Sequence, residues 1–408
     1  MQIAAKNIII SKSRDYWGLT FTAEQAGSTI SMTKAGDAPA VSLETSTDNG
    51  RTWTPFIVGE TTITLANVGD SVCFRAGNGG TGGDGLNVAM ANSHIDKYNK
   101  FVIRKRVAAS GDISSIINRR GSVLDLTGRN YCFTNLFNGC TSLTTAPELP
   151  ATTLADSCYE YMFYNCTSLI SVPRLPAMTM IGICYSYMFY NCTSLTTAPE
   201  LPATTLAYNC YASMFQGCTS LTTAPELPVT TLADYCFVGM FRGCTSLTTA
   251  PELPATTLTN HCYASMFQGC TSLTTAPELP ATKLAASCYL DMFQGCTSLV
   301  SAPELPAMKL TNYCYRSMFQ GCTSLTTAPE LPATTLANYC YGYMFYNCTL
   351  LTHVKVHFTT WDIANATSDW LSSVASSGTF ECPTELGTNE TIQRGTSYCP
   401  NGWSVVNV

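Results

Sequence analysis

The chain has 408 residues, 46% of them hydrophobic and only 12% charged, with a net charge of −6 and 21 cysteines. Ordinary globular proteins carry about 25% charged residues, so this surface is unusually neutral. It lacks the basic stripe of a nucleic-acid grip, and no run approaches the roughly 20 apolar residues of a membrane span. Residues 1–129 carry net +3, residues 130–348 net −6 and residues 349–408 net −3.

The opening Met1-Gln-Ile-Ala-Ala-Lys-Asn-Ile-Ile-Ile-Ser-Lys12 has a three-residue apolar run closed by Lys12, Arg14 and Asp15. This is not a secretory layout. A chain starting this way is expected to fold in a cytosol. It would reach the outside in an assembled particle, or by a route that reads no cleavable signal.

Residues 1–109 alternate apolar and polar positions between turn signals, as in Leu19-Thr-Phe-Thr, Ser28-Thr-Ile-Ser-Met, Thr61-Thr-Ile-Thr-Leu and Ser71-Val-Cys-Phe. Asp48-Asn49-Gly50 between two such runs marks a hairpin. The pattern predicts an all-β sandwich that attaches the chain to other components. Gly77-Asn-Gly-Gly-Thr-Gly-Gly-Asp-Gly85 reads as a loop, because a dinucleotide site needs a following helix and a calcium nonapeptide needs repetition. Residues 110–131 are expected to cap the N-terminal end of the block at 132–348.

Between 132 and 348 a 26-residue unit recurs nine times, with a first cysteine at Cys132, Cys158, Cys184, Cys210, Cys236, Cys262, Cys288, Cys314 and Cys340. A second cysteine follows eight residues later, from Cys140 to Cys348. A fixed period of this size is the signature of a solenoid, whose units bury their apolar faces against their neighbours. In Leu206, Cys210, Met214 and Cys218 the apolar positions advance by four, which predicts one face of a short helix. Thr231 and Asp234 have capping-box spacing. The residue before the second cysteine is always Gly or Asn, the residues that tolerate the left-handed conformation ending a helix. Thr-Ser-Leu-Thr-Thr-Ala then predicts a short parallel strand, which Pro-Glu-Leu-Pro ends because proline cannot donate to a central ladder.

On a helix the two cysteines of one unit would lie about 12 Å apart, beyond the roughly 4.4–6.8 Å of a disulfide. Two columns of reduced, buried thiols are the favoured reading. Cross-repeat disulfides stay open, as does the state of Cys382 and Cys399.

The core Phe215-Gln-Gly-Cys218-Thr-Ser-Leu221, repeated in phase through Phe345 to Leu351, resembles the BspA-like leucine-rich repeat with its Phe-x-x-Cys-x-x-Leu pattern. The pitch is slightly long for that family, and Pro-Glu-Leu-Pro departs from its usual apolar run. The resemblance implies an α/β leucine-rich-repeat solenoid, here nine repeats of short parallel strand plus short helix, with an N-terminal β-sandwich and a C-terminal cap. It implies adhesion and not catalysis, as in bacterial surface proteins, mucosal protists and phage tail proteins.

Variable positions are expected to face solvent. Two residues after the first cysteine stand Thr134, Glu160, Ser186, Ala212, Val238, Ala264, Leu290, Arg316 and Gly342. Tyr161, Tyr164, Tyr187 and Tyr190 near one end, Arg242 and Arg316 along the face, and Tyr343 and Tyr346 at the other end are the candidate partner contacts, since tyrosines suit recognition and stacking on sugars. Glu200, Glu226, Glu252, Glu278, Glu304 and Glu330, with Glu148 before them, form a carboxylate column broken by Arg174. It is either solvated or bridged by weakly held cations.

Residues 349–408 read as the C-terminal cap. Thr352-His-Val-Lys-Val-His-Phe is a strand, Asp369-Trp-Leu-Ser-Ser-Val-Ala a short helix and Gly402-Trp-Ser-Val-Val an edge strand. Trp370 and Trp403 would cover the final coil, and His353 and His357 read as exposed strand residues. His94 and His261 complete a histidine set that never recurs with the repeats. There is no nucleophile elbow, no P-loop and no asymmetric carboxylate pair. The sequence therefore points to a non-enzymatic protein without cofactors that binds a host surface protein or glycan. An exposed virion component such as a tail fibre is the first reading, joined to other virion proteins through residues 1–109. A bacterial surface adhesin and a structural spacer are the alternatives, and self-association is left open.

Overall fold

The computed structural model describes residues 18–38, 41–77, 95–119, 121–363 and 365–408. The first 17 residues, most of the glycine-rich loop at 77–85 and His94 lie outside them. Eight strands precede the repeats: β1 (Thr20–Ala23), β2 (Ser28–Lys34), β3 (Leu43–Ser46), β4 (Thr54–Phe56), β5 (Thr62–Leu65), β6 (Ser71–Ala76), β7 (Asn99–Arg104) and β8 (Val107–Ser110). One sheet runs β5-β2-β7. The other runs β4-β3-β6-β1-β8 and ends on β9 (Leu143–Thr145), which belongs to the first repeat. The alternation seen in the sequence becomes alternating burial along β2 and β7. The inward rings lock the two sheets together: Phe101 of β7 sits 5.0 Å from Phe21 of β1 and 5.2 Å from Phe74 of β6.

The hairpin signal holds: β3 and β4 pair antiparallel, and Asn49 and Gly50 both have positive φ, 60° and 85°. Asp48 fixes the turn by accepting from Ser46 Oγ, from the backbone of Arg51 and Thr52 and from Thr52 Oγ1. Those bonds, led by Ser46, hold its carboxyl well below the usual range.

Beyond Ser110 the chain turns through a 3-10 segment, Ile113–Ile116, whose isoleucines are fully buried. Ile113 N–H donates to Glu148 O, and Leu126 N–H to Thr153 O. Residues 110–131 thus lie against the first repeat.

The repeat itself differs from the sequence expectation. Among the described residues there are only two helical segments, both 3-10: Ile113–Ile116 and Thr384–Leu386. The expected helix is a run of four-residue turns. In the copy at 209–218, Cys210, Ala212, Met214, Gln216 and Cys218 each donate a backbone N–H to the carbonyl three residues back. The alternating residues Asn209, Tyr211, Ser213, Phe215 and Gly217 donate to the following copy, at Asp234, Cys236, Val238, Met240 and Arg242. Every N–H in the run therefore has a carbonyl partner, half within the coil and half across to its neighbour. An α-helix would send all of its bonds along itself.

The run is built by a positive φ at every fourth residue: Asn209 (56°), Ser213 (51°) and Gly217 (75°). A spacing of four kept over twelve residues would drift by about 120° around an α-helix. In a chain of four-residue turns it stays on one side. This is why Leu206, Cys210, Met214 and Cys218 all face inward without a helix. Tyr, Ser, Thr, Asn and Phe are also only middling helix formers, so local propensity offers little resistance. With no helix at its start, Asp234 caps nothing. Its carboxylate instead accepts from Asn260 N–H at 2.9 Å in the next copy.

The strand is shortened too. Apart from β9, the threonine segment is reduced to single parallel bridges, such as Thr197 to Thr223, Thr223 to Thr249 and Thr249 to Thr275. The prolines leave no room for a longer ladder.

The positive-φ expectation before the second cysteine holds in all nine copies, from Gly139 (77°) to Asn347 (60°). At Gly217 a Cβ would also collide with Asn191 Oδ1 of the preceding copy. Gly217→Val is expected to destabilise by about 1–3 kcal/mol, and Gln216→Ala by much less. Equal shifts in urea midpoint would show that the left-handed turn is not required there.

Inside the coils run two aromatic columns. Phe137, Phe163, Phe189, Phe215, Phe241, Phe267, Phe293, Phe319 and Phe345 stack at 5.2–5.8 Å, continuing from Phe101. The second begins at Phe133 and Tyr159 and ends at Tyr341 on Trp370. All 21 cysteines are free and buried. Their packing replaces the argument from helix spacing: from Cys166 onward each second-column thiol donates to a phenylalanine carbonyl of the preceding copy, as Cys244 Sγ does to Phe215 O at 3.1 Å, and Cys140 Sγ donates to Phe101 O of β7. Burial pushes the Cys218 thiol up to about 12, which keeps it protonated and a donor.

After the last full copy the turns continue. Asn365, Asp369 and Ser373 repeat the positive φ, and Phe345 N–H donates to Trp370 O at 2.9 Å. The short helix expected at 369–375 is thus a degenerate further coil. Three parallel strands close the chain: β10 (His353–Lys355), β11 (Thr379–Cys382) and β12 (Ser404–Asn407), with β12 at the sheet edge. No helix among the described residues is long and apolar enough to cross a membrane.

Candidate binding face

Between the inward pairs (Cys210-Tyr211, Met214-Phe215) lie positions that are buried in some copies and half-exposed in others, and equivalent residues of successive copies form columns. The first cluster of candidates meets in one array. Tyr161 stacks on Tyr187 at 4.7 Å, and Tyr164 on Tyr190 at 4.6 Å. Tyr161 and Tyr164 lie tilted at 5.4 Å. All four are half-buried, and desolvation, with smaller contributions from the neighbouring rings, raises the Tyr161 and Tyr164 hydroxyl pKa values. Each stacked pair closes one face of each of its rings.

Arg242 stands apart from this array, exposed between Gln216 and Gln268. Gln294 Nε2 donates to Gln320 Oε1 at 2.8 Å in the same column. Arg316 packs its guanidinium against two rings, 5.5 Å from Tyr343 and 5.9 Å from Tyr339. Tyr343 and Tyr346 lie tilted at 6.1 Å.

One outward assignment fails. Of the residues two after the first cysteine, Thr134, Glu160, Ser186, Ala212 and Ala264 are buried, at 0%, 6%, 0%, 1% and 2% exposure. Variation there does not mean solvent. In these copies adjacent coils close over the position, and its polar side chains serve backbone groups: Thr134 Oγ1 donates to Ser157 O and Ser186 Oγ to Asn209 O, whereas Val238, Leu290 and Arg316 stay half-buried. Desolvation pushes the Glu160 carboxyl up to about 7.

At the position before the first cysteine, absent from the sequence candidates, two further aromatic pairs form. Tyr235 stacks on His261 at 4.6 Å and Tyr313 on Tyr339 at 5.2 Å, and Tyr208, one residue earlier in its own copy, lies edge-on to Tyr235 at 5.5 Å. The tyrosines and histidine at this offset are visible in the sequence. Their positive φ, which turns them outward, is not.

The glutamate column is exposed. Between its members lie shallow clefts formed by consecutive Pro-Glu-Leu-Pro corners, for example Pro277, Glu278 and Pro280 against Pro303, Glu304 and Pro306. No group of three or more metal-type side chains forms among the described residues. At the C-terminal end Glu330 meets Lys355 at 3.0 Å and His357 at 2.5 Å, which lowers its pKa. His353 bonds Glu381 at 2.8 Å. Both histidines are half-buried and face carboxylates.

Coils tied copy to copy around a common Cys/Tyr/Met/Phe/Cys/Leu core define a repeat protein of the leucine-rich class. The BspA-type leucine-rich-repeat family, in a six-copy form, matches residues 130–248 and 239–368, more than half of the chain. The chain belongs to that family. No curated protein matches it.

Proposed function

We propose that the chain is a non-enzymatic adhesion protein, a nine-copy solenoid whose outward turn face binds a host surface protein or glycan. In this reading it is carried exposed on a virion, with the N-terminal sandwich as its attachment. Family membership supports a surface-adhesion role. The observation that carries the binding face is the meeting of four outward tyrosines, Tyr161, Tyr164, Tyr187 and Tyr190, in one array. Interfaces draw most of their energy from a few such aromatic anchors, and the equivalent positions elsewhere hold Ser, Gln, Asn, Gly, Asp or Arg, with Tyr again only at Tyr343 and Tyr346, without loss of the coil.

Replacing all four tyrosines with Ser is expected to keep the fold and lower binding of labelled protein to host cells by roughly tenfold or more, the scale of one or two lost anchors. Normal binding by that variant, with loss on substituting Glu200 to Glu330, would move the site to the proline-corner side.

A further inference from the structure

We infer that the outward face around Arg316 is a receptor for an acidic saccharide, with the Arg316 guanidinium as the anion contact and Tyr313, Tyr339 and Tyr343 as its walls. The inference rests on the adhesion reading and names the chemistry of one ligand.

Arg316 is half-buried, and its Nε is shielded from solvent without a hydrogen-bond partner. Its guanidinium takes part in no ion pair or hydrogen bond among the described residues, and only the rings of Tyr339 and Tyr343 hold it. The same chain shows what such a group ordinarily receives. Arg75 lies 3.8 Å over the Trp53 ring and is also paired with Glu44 at 2.7 Å. At Arg316 the ring contact is present, but the one carboxylate that feels its charge, Asp291, makes no ion pair with it. A desolvated guanidinium presents a planar fork that matches a carboxylate bidentately, and leaving it unpaired is costly.

Asp291, one coil back, does not fill the role. Its backbone N–H donates to Arg316 O at 2.9 Å, yet its carboxylate forms no ion pair with the guanidinium. Burial raises its pKa, only partly opposed by Arg316 and Ser317. Its charge works against an incoming anion, so removing that charge should favour one.

The walls select a sugar over a bare anion. Tyr313 backs Tyr339 in a parallel stack, while Tyr343 and Tyr346 are tilted by 59°. Among the described residues Tyr313 is ring-stacked only toward Tyr339, and Tyr343 has only the tilted Tyr346 as a ring partner. Apolar faces beside a cation suit a pyranose carrying a carboxylate.

The test is calorimetric titration of the full chain with sialyllactose and with an oligogalacturonate. Lactose and the methyl-esterified oligogalacturonate serve as neutral controls, and a polyglutamate peptide as the peptide control. At least one acidic sugar should bind, and its neutral counterpart should bind roughly tenfold more weakly or not at all. Arg316→Gln should remove that preference, Arg316→Lys should keep part of it, and Asp291→Asn should tighten acid binding. A purely structural arginine would give no tightening in Asp291→Asn. Equal affinity for acid and neutral sugars, no acid binding at millimolar concentration, an unchanged Arg316→Gln, or tighter binding of polyglutamate would each overturn the inference. Cell binding measured in parallel separates the two readings: cells bound without acid preference sink this inference alone, and the absence of any cell binding sinks the adhesion reading.

Discussion

Replacing Phe241 with Ala should cost about 3–5 kcal/mol, the range for removing a buried phenylalanine, from a position at the centre of the repeats. The ring is fully buried and lies 5.8 Å from both Phe215 and Phe267, nearly parallel to each. Collapse around the lost ring is hindered from both sides. The Phe241 carbonyl accepts from Cys244 N–H at 3.0 Å and from Cys270 Sγ at 3.1 Å, and the Phe241 N–H is tied to Met266 O at 2.9 Å. The backbone therefore stays where the stack holds it, and the cavity persists. Repeat arrays can unfold in parts, so amide exchange is the better readout than one melting curve. Protection should fall first at Phe215, Phe241 and Phe267, whose N–H groups bridge neighbouring coils. A cost below about 1 kcal/mol, or loss of protection only at the chain ends, would mean that the phenylalanine column does not hold adjacent coils together.

The period, the inward residues and the left-handed glycines are legible in the sequence because each reflects one repeated constraint. Only Gly and Asn precede the second cysteine, and all nine positions have positive φ. The four-residue turns are not legible, because apolar residues four apart fit both an α-helix and such turns over a short window. The deciding facts are non-local. Tyr161, Ser213 and Asp291 take positive φ, which costs a non-glycine residue about 1–2 kcal/mol. It is tolerated because alternate N–H groups find carbonyls in the next copy, and a single copy cannot reveal that partner. The same limit applies to the binding face. The tyrosine pairs at 161–187 and 164–190 come from the 26-residue offset, so their meeting is legible. The burial of Glu160 and Ser186 is not, because it depends on how closely neighbouring coils approach. The degenerate coil at 365–373 is hidden because Ala366 and Val374 stand where the repeat has its cysteines, and only the backbone keeps the pattern.

Trp370→Ala is expected to have the second large effect, and at one end of the stack. Trp370 is fully buried, its ring lies 6.2 Å from Tyr341, and its Nε1 donates to Tyr398 O at 3.1 Å. It thus ends the tyrosine column and ties the degenerate coil to the closing segment. Phe358 and Phe380 flank it at 6.2 Å, so its loss opens a cavity that reaches the last full copy. Truncating a buried tryptophan costs about 3–5 kcal/mol. In a repeat array that loss is concentrated in the nearest units, since each contacts only its neighbours. Exchange protection should drop at Tyr341, Tyr343 and Phe345 while Tyr211 and Phe215 keep theirs. An array with an uncovered end also exposes apolar surface that a second copy can cover, so sedimentation velocity should show concentration-dependent association absent from the parent protein. Trp403→Ala should do less. Its Nε1 bonds Ala375 O at 2.8 Å, but it lies beyond the column and touches neither Tyr341 nor Phe345 in ring contact. A Trp370→Ala protein with parental stability and no self-association would mean that the final coil needs no cover, and that the segment after 349 is not a cap.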